Sequence, residues 1–438
     1  MLRQAQRDVD RKSSVSLDYE RRHSRWYEKI LLGLTFQLVV GLPLVVGLPS
    51  LERWGWEFWH YLPDVRTNTI YALTGAFIAT VLTLRRMARF PGSQVAAYIA
   101  PTVSVMFLLA VAVLFFTREE YTRQVLFAGY CVSLLWCFVG YFVGRRYRCL
   151  KLAIVPFGDA RKLRGTTQVD LRWLERPDLE GVRVDGVVAD LRADDLPAEW
   201  EKFLATCTLC RIPVYHIKQI HESISGRVRV DRLSENEFGS LMPSSMYAGC
   251  KLGIDVVAAV LFLPVLLPVL AVVAVLIKLD SRGPVLFLQP RMGYRARPFK
   301  MYKFRSMYHE PGGEDFTLPD DDPRITRVGR FIRKYRIDEL PQIFNVLRGE
   351  MSFIGPRPES VALSEKYEQD VPFFSYRHVV RPGISGWAQV EQGYAAEAEG
   401  MGKKLQYDFY YIKHFSLWID VLIAFKTLKT IFTGFGAR

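Results

Sequence analysis

The stretch Asp255-Val-Val-Ala-Ala-Val-Leu-Phe-Leu-Pro264-Val-Leu-Leu-Pro268-Val-Leu-Ala-Val-Val-Ala-Val-Leu-Ile277 decides how this chain is organised. From Val256 to Ile277 there are twenty-two residues without a charge, enough by length alone for a helix that crosses a bilayer. Pro264 and Pro268 stand in its middle, each removing a backbone donor and crowding the preceding turn. Prolines alone do not settle the matter, because spanning helices tolerate them. The sequence that follows weighs more. Residues 282–305 carry Arg282, Arg291, Arg295, Arg297, Lys300, Lys303 and Arg305 with no acidic residue, a cytoplasmic signature that a full crossing would export. The segment therefore reads as a re-entrant helix over 254–279 that bends at Pro264 and Pro268 and returns to its own face. A plain fifth span is the alternative.

Toward the N-terminus the chain reads as a membrane protein. It has 438 residues, 50% of them hydrophobic, with a formal charge of +13, and its mean hydropathy is positive. That is room for two or three domains. Apolar runs at 30–48, 69–84, 95–116 and 125–143 predict four transmembrane helices within residues 30–149. Basic clusters at 21–25, 85–89 and 145–148 place both ends of this bundle in the cytoplasm. Residues 1–29 form a basic cytoplasmic segment; the run behind them is too long for the apolar core of a cleavable signal peptide. The basic excess suits anionic lipid or phosphorylated substrates. Nucleic acid is not expected, since no zinc-finger or helix-turn-helix pattern occurs. Cysteines 131, 137, 149, 207, 210 and 250 lack a disulfide-framework spacing, as fits a reduced compartment.

Residues 150–250 alternate strand-like (152–155, 184–188, 212–217) and helical (198–209) segments, which predicts a small parallel α/β domain of degenerate Rossmann-like type. Its first turn, Val155-Pro-Phe-Gly158-Asp-Ala, lacks the glycine pattern that brings backbone against a pyrophosphate. A regulatory or dimer-forming module is the better reading. Cys207-x-x-Cys210, His216 and His221 are too closely spaced for a zinc finger and read as structural.

Toward the C-terminus, residues 251–438 carry the chemistry. In Arg333-Lys-Tyr-Arg-Ile-Asp338-Glu339-Leu-Pro341, the Leu340-Pro341 pair reads as a helix start. Ile343, Phe344, Val346 and Leu347 give that helix an apolar face, and Arg348-Gly349 ends it. Asp338 and Glu339 then lie at a helix N-terminus, where the anionic form is favoured. Ionised carboxylates among arginines suit a magnesium ligand or an oxygen nucleophile toward phosphorus; an N-capping acid beside a solvated basic face is the plain alternative. The same half contains Lys303-Phe-Arg305-Ser-Met, Asp322-Pro-Arg324, Gly355-Pro-Arg357-Pro358 and Arg381-Pro-Gly-Ile-Ser-Gly-Trp387-Ala-Gln389. Arginines forked for phosphate oxygens, together with an Asp-Glu pair, suit a diphosphate. No metalloprotease, serine-hydrolase, P-loop or kinase signature is present. The residues point to phosphoryl chemistry on a lipid at the cytoplasmic surface.

Those motifs, with Gly283-Pro284, Gln289-x-Arg291-x-Gly293 and Asp338-Glu339-Leu-Pro341-Gln342, resemble the bacterial sugar transferases, the monotopic phosphoglycosyl transferases. With four N-terminal spans and a degenerate α/β domain, the chain looks like the long polyprenyl-phosphate hexose-1-phosphate transferases. The resemblance implies a bacterial inner-membrane, multi-pass protein with its monotopic catalytic domain at 251–438, on the cytoplasmic face. It implies transfer of a hexose 1-phosphate from a UDP-sugar to undecaprenyl phosphate, releasing UMP and initiating exopolysaccharide, capsule or O-antigen synthesis. Asp338 would be the nucleophile and Glu339 the Mg2+ ligand. Arg333 and Arg357 would contact phosphate, with Lys303, Arg305 and Gln389 completing the substrate site. Pro268 matches the proline that breaks the family's membrane helix.

The chain also departs from the family's pattern. Leu267 stands where serine is common, Pro264 is additional, and a Gly-Arg pair common after the Trp-x-Gln segment is replaced by Val390-Glu-Gln-Gly-Tyr394. The latter resembles an exopolysaccharide branch, with glucose the favoured sugar and galactose possible. A homodimer is expected from the extra domains of long members. Residues 419–432 read as a closing amphipathic helix on the membrane surface. A non-catalytic scaffold would be favoured by loss of Asp338 or Glu339, and both are present. A transporter would need polar residues inside several spans.

Overall fold

The computed structural model describes residues 33–56, 64–88, 95–148, 151–163, 170–193, 195–228, 242–308, 322–392 and 398–433, with positions 19, 30, 58 and 90. The basic segment expected before residue 30, apart from position 19, and the last two positions of the 390–394 departure, Gly393 and Tyr394, lie outside these residues. The chain forms two compact units, residues 1–225 and 226–438.

The first unit begins with four apolar helices: α1 (Leu34–Trp54), α2 (Asp64–Met87), α3 (Val95–Thr117) and α4 (Arg123–Arg148). Each overlaps an apolar run seen in the sequence and extends into polar flanks. In α1 the stretch Pro43–Gly47 is a π-helix; a proline without its N–H disturbs the regular ladder there. Leu73, Ile99, Val103 and Val125 share one core across α2, α3 and α4.

Beyond these helices lies a four-stranded parallel sheet of β1 (Lys151–Ile154), β2 (Asp170–Trp173), β3 (Gly186–Ala189) and β4 (Val214–His216), ordered β2-β1-β3-β4. The helices α5 (Ala198–Leu209) and α6 (Ile217–Ser225) accompany it. The apolar runs of β1 and β3 are buried, as a parallel sheet covered on two faces requires. Besides the 3-10 turn Gly158–Leu163, β2 and α6 have no signal in the sequence. β2, Asp-Leu-Arg-Trp, has alternating exposure and a polar composition; α6 follows β4 with no intervening turn signal. Cys207 lies in the domain's core beside Trp200 and Phe203, as a structural cysteine should.

The second unit is organised on α7 (Ser245–Asp280), thirty-six residues that remain helical through Pro264 and Pro268. A straight helix of that length would run about 54 Å. Both of its ends are nevertheless bonded into the same unit. Near the start, Tyr247 and Lys251 donate to Asp420 Oδ2, each at 2.6 Å, and Asp255 accepts Ser352 Oγ at 2.6 Å. At the far end, Asp280 accepts the Val328 N–H at 3.2 Å, and Arg305 donates to the carbonyls of Ser281 and Arg282 at 2.8 and 2.9 Å. Phe344 packs against the core around Ala259 and also against the core around Leu270 and Val273. Five helices of the described chain, α7 included, are long and apolar enough to cross a membrane by length and composition.

Around α7 lie the antiparallel hairpin β5 (Leu286–Met292) and β6 (Pro298–Phe304), α8 (Arg327–Lys334) and the short α9 (Ile343–Leu347). The parallel pair β7 (Ser352–Ile354) and β8 (Gly383–Ser385) flanks α10 (Val361–Asp370). The unit ends with α11 (Trp387–Glu391), α12 (Ala398–Lys413) and α13 (Leu417–Thr433). It also begins earlier than the expected boundary at 251. Gly226 O accepts the Trp387 indole at 2.9 Å, and Val228 N donates to Gln406 O.

Candidate active site

The expected helix at Leu340-Pro341 starts three residues sooner. A 3-10 turn, Ile337–Gln342, contains both acids in its first turn and runs directly into α9. Arg336 takes the left-handed conformation, φ 58°, to make the corner between α8 and this turn. Asn345, fully buried in α9, fastens the turn to β6: it accepts the Tyr302 N–H at 3.0 Å and donates to Lys300 O at 2.8 Å. β6 thereby sets Lys303 against the acids.

Glu339 is buried, with cations from three elements around it. Arg357 forks onto it, Nη2 to Oε1 at 2.6 Å and Nη1 to Oε2 at 3.2 Å. Lys303 Nζ lies 3.7 Å from Oε1, and Arg336 Nη1 at 3.5 Å. Burial alone would raise its pKa, but Arg357, Lys303 and Arg336 outweigh that and hold the carboxyl well below the usual range. Asp338 behaves oppositely: burial, then the neighbouring Glu339 carboxylate, push its pKa up against the pull of Lys303, Arg357 and Arg336. Glu339 raises the Arg357 pKa in return. Burial brings Lys303 down to about 8, with Glu339 opposing. A helix N-terminus accords with Glu339 as a fixed anion, whereas burial and that adjacent charge raise Asp338 against the dipole. Three cations face two carboxylates, an excess that attracts a polyanion, and Asp338 offers a basic oxygen beside it.

The structure thus brings Asp338, Glu339, Lys303 and Arg357 together and adds Arg336, to which the sequence motifs assign no role. Its three-residue spacing ahead of Glu339 was the available signal. Arg333 stands in the last turn of α8, three residues before Arg336. Arg305 goes elsewhere: buried, it donates to Ser281 O, Ser281 Oγ and Arg282 O, closing the end of α7. Gln389 donates to Ile384 O at 3.4 Å and so faces β8. Asp322 accepts from Arg324 through N, Nε and Nη2, a closed turn ahead of α8.

Among the described residues no group of three His, Cys, Asp or Glu could cage a metal. Mg2+ needs no such cage, since one or two carboxylates plus substrate phosphates commonly hold it. Both Glu339 oxygens are held by Arg357, at 2.6 and 3.2 Å, so this carboxylate would fit that pattern only with the fork opened at the longer contact.

The family model described as bacterial sugar transferase matches residues 246–434. The chain is 55% identical over 424 residues to the UDP-N-acetylgalactosamine-undecaprenyl-phosphate N-acetylgalactosaminephosphotransferase of Aeromonas hydrophila, covering 96% of this chain and 100% of that protein. It is 44% identical over 184 residues to the UDP-glucose:undecaprenyl-phosphate glucose-1-phosphate transferase of Escherichia coli (strain K12), covering 41% of this chain and 39% of that one. The undecaprenyl-phosphate glucose phosphotransferase of Komagataeibacter xylinus is 46% identical over 186 residues, 41% of this chain and 35% of its own length.

Proposed function

Because the chain belongs to the bacterial sugar transferase family, we propose that it moves a sugar 1-phosphate from a UDP-sugar to undecaprenyl phosphate, starting a surface polysaccharide. The observation that carries this is the Asp338-Glu339 pair ringed by Lys303, Arg336 and Arg357. In the first step an Asp338 carboxylate oxygen attacks the β-phosphorus of the donor. The bond from that phosphorus to the bridging oxygen breaks, UMP leaves with the electron pair, and the sugar phosphate stays on Asp338. In the second step a phosphate oxygen of undecaprenyl phosphate attacks the same phosphorus and Asp338 departs as carboxylate. Two successive displacements suit a nucleophile that must also be a good leaving group. Arg357, Lys303 and Arg336 bind the diphosphate and compensate the charge that gathers on the leaving UMP. Glu339 would hold Mg2+ beside the donor phosphates, where the ion would further neutralise the diphosphate.

The sugar is the open choice of donor. The sequence reading favoured glucose, and the two relatives named for glucose above match less than half of their own length. A relative named for N-acetylgalactosamine matches along nearly the whole chain, so UDP-N-acetylgalactosamine is the first donor to test and UDP-glucose the second. We place the catalytic unit on the cytoplasmic face of the inner membrane, with α7 re-entrant. The basic run 282–305 and the bonding of both ends of α7 into one unit support this. Pairing of two chains through the α/β domain belongs to the same proposal.

The test is UMP release by full-length protein in nanodiscs containing undecaprenyl phosphate, with Asp338→Asn beside it. Release that depends on Mg2+ and disappears in the variant supports the covalent route, and the active donor names the sugar. Undiminished release by Asp338→Asn rules Asp338 out as nucleophile.

A further inference from the structure

Residues 355–359 have no regular secondary structure, yet three successive carbonyls here are captured. Arg377 Nη2 donates to Arg357 O at 2.8 Å, Arg291 Nη1 to Pro358 O at 3.0 Å, and Met292 N to Glu359 O at 2.9 Å. Arg377 is 2% exposed and comes from the 3-10 turn Phe374–Val379 after α10. It pairs with Asp408 of α12 at 2.8 Å and with Glu359 at 3.5 Å. Asp408 is itself 1% exposed, and Glu359 also receives Lys404. A buried ion pair of this kind is seldom the most stable filling for an interior; apolar residues of similar volume often do as well or better. Here the guanidinium does something an apolar residue cannot: it holds the peptide of the residue that forks onto Glu339.

We propose that Arg377, itself held by Asp408, is a positioning residue that fixes the Arg357 backbone so that the Arg357 guanidinium meets Glu339 and the donor diphosphate in one geometry. This rests on the phosphate role given to Arg357 above. A fork requires both nitrogens in line with their acceptors, and the long Arg357 side chain delivers that only from a fixed Cα. Loss of the Arg377 bond frees the peptide. Misplacement on the order of 1 Å costs about 100-fold in rate.

Removing Arg377 alone would strand Asp408 in the interior, so the informative variant is Arg377→Met/Asp408→Leu, which removes both charges and keeps the space filled. Full-length protein in nanodiscs is assayed for UMP release and for unfolding temperature. The expected result is an unfolding temperature near the parent's with kcat down by about 100-fold. Arg377→Lys, which keeps a cation for Asp408 but lacks the planar fork, is expected to lose at least about 10-fold in kcat while unfolding like the parent. Arg357→Met and Arg357→Met/Arg377→Met/Asp408→Leu should have the same kcat, because one residue acts through the other. Parental kcat in the stable paired variant or in Arg377→Lys overturns the inference, as do losses that multiply in the Arg357 background. Unchanged kcat in Arg357→Met would instead remove the phosphate role of Arg357, and this inference with it.

Discussion

Lys303 should give the enzyme an alkaline limb close to neutrality. Its Nζ is mostly enclosed between β6 and the Asp338–Glu339 turn, 15% exposed and 3.7 Å from Glu339, and burial lowers it to about 8. A lysine with that value is about nine-tenths charged at pH 7 and about one-tenth charged at pH 9. If only the ammonium form receives the diphosphate, kcat/KM falls about tenfold across that interval. A bound diphosphate favours the charged lysine, so kcat itself should decline at higher pH than kcat/KM. Lys303→Arg keeps its charge throughout and should flatten the limb, whatever its absolute rate. Stability moves the other way. An unfolded lysine titrates near 10.4, so between about 8 and 10.4 the unfolded chain binds more protons than the folded one and Lys303's contribution to stability rises with pH. UMP release at low donor concentration from pH 6.5 to 9.5, with unfolding temperatures at each pH, distinguishes lost chemistry from lost fold. An identical limb in Lys303→Arg would refute the assignment. So would a parent that loses stability relative to Lys303→Arg through that window.

Arg305→Met removes three hydrogen bonds at the end of α7 and should cost about 3 kcal/mol of folding stability. Thermal unfolding is expected to drop while kcat per folded molecule holds; a collapse of kcat at parental stability would return Arg305 to the phosphate site. At Gly383 an added Cβ would collide with the backbone of Gly355, so Gly383→Ala should force β8 from the loop that presents Arg357 and reduce UMP release by at least about tenfold. Burial would raise the Glu359 pKa, but Lys404 and Arg377 outweigh it and bring it to about 2. Its contribution to stability is therefore present above about pH 4.3 and lost as pH falls toward 2, a loss that acid unfolding of Glu359→Gln should lack. Single cysteines at Met242 and Arg282, beyond the two ends of α7, should both react with an impermeant thiol reagent from the cytoplasmic side of inverted vesicles; labelling from opposite sides would establish a full crossing.

The apolar helices were legible because hydrophobic length is a local signal; α1 to α4 depart from the expected runs chiefly where helix continues into polar flanks. The strands β1, β3 and β4 were legible as short apolar runs between turns, whereas β2 has no such run. At the site, Asp338, Glu339, Lys303 and Arg357 could be named in advance from sequence motifs. Burial was invisible, and so was the placing of the cations that separates the two acids: both are desolvated, but Arg357, Lys303 and Arg336 crowd Glu339 and leave it a pinned anion, whereas Asp338 keeps a basic oxygen. Arg305 shows the converse limit. Its neighbours in sequence suggested phosphate, but its partners come from the end of a helix more than twenty residues earlier. Arg377 and Asp408 meet across thirty-one positions, and no local pattern announces such a pair.

The bond between Lys251 and Asp420 joins residues 169 positions apart, and this separation imposes an order on biosynthesis. At about 5–20 residues per second, α7 emerges from the ribosome roughly ten to thirty seconds before its anchor in α13. Throughout that interval Lys251 and Asp255 have each other, 3.8 Å apart on one helix face, but neither Asp420 nor Ser352 to fasten them. The apolar helix is made first and the domain that holds its two ends is completed afterwards. A nascent chain halted before α13 therefore lacks the lock that Asp420 places on α7.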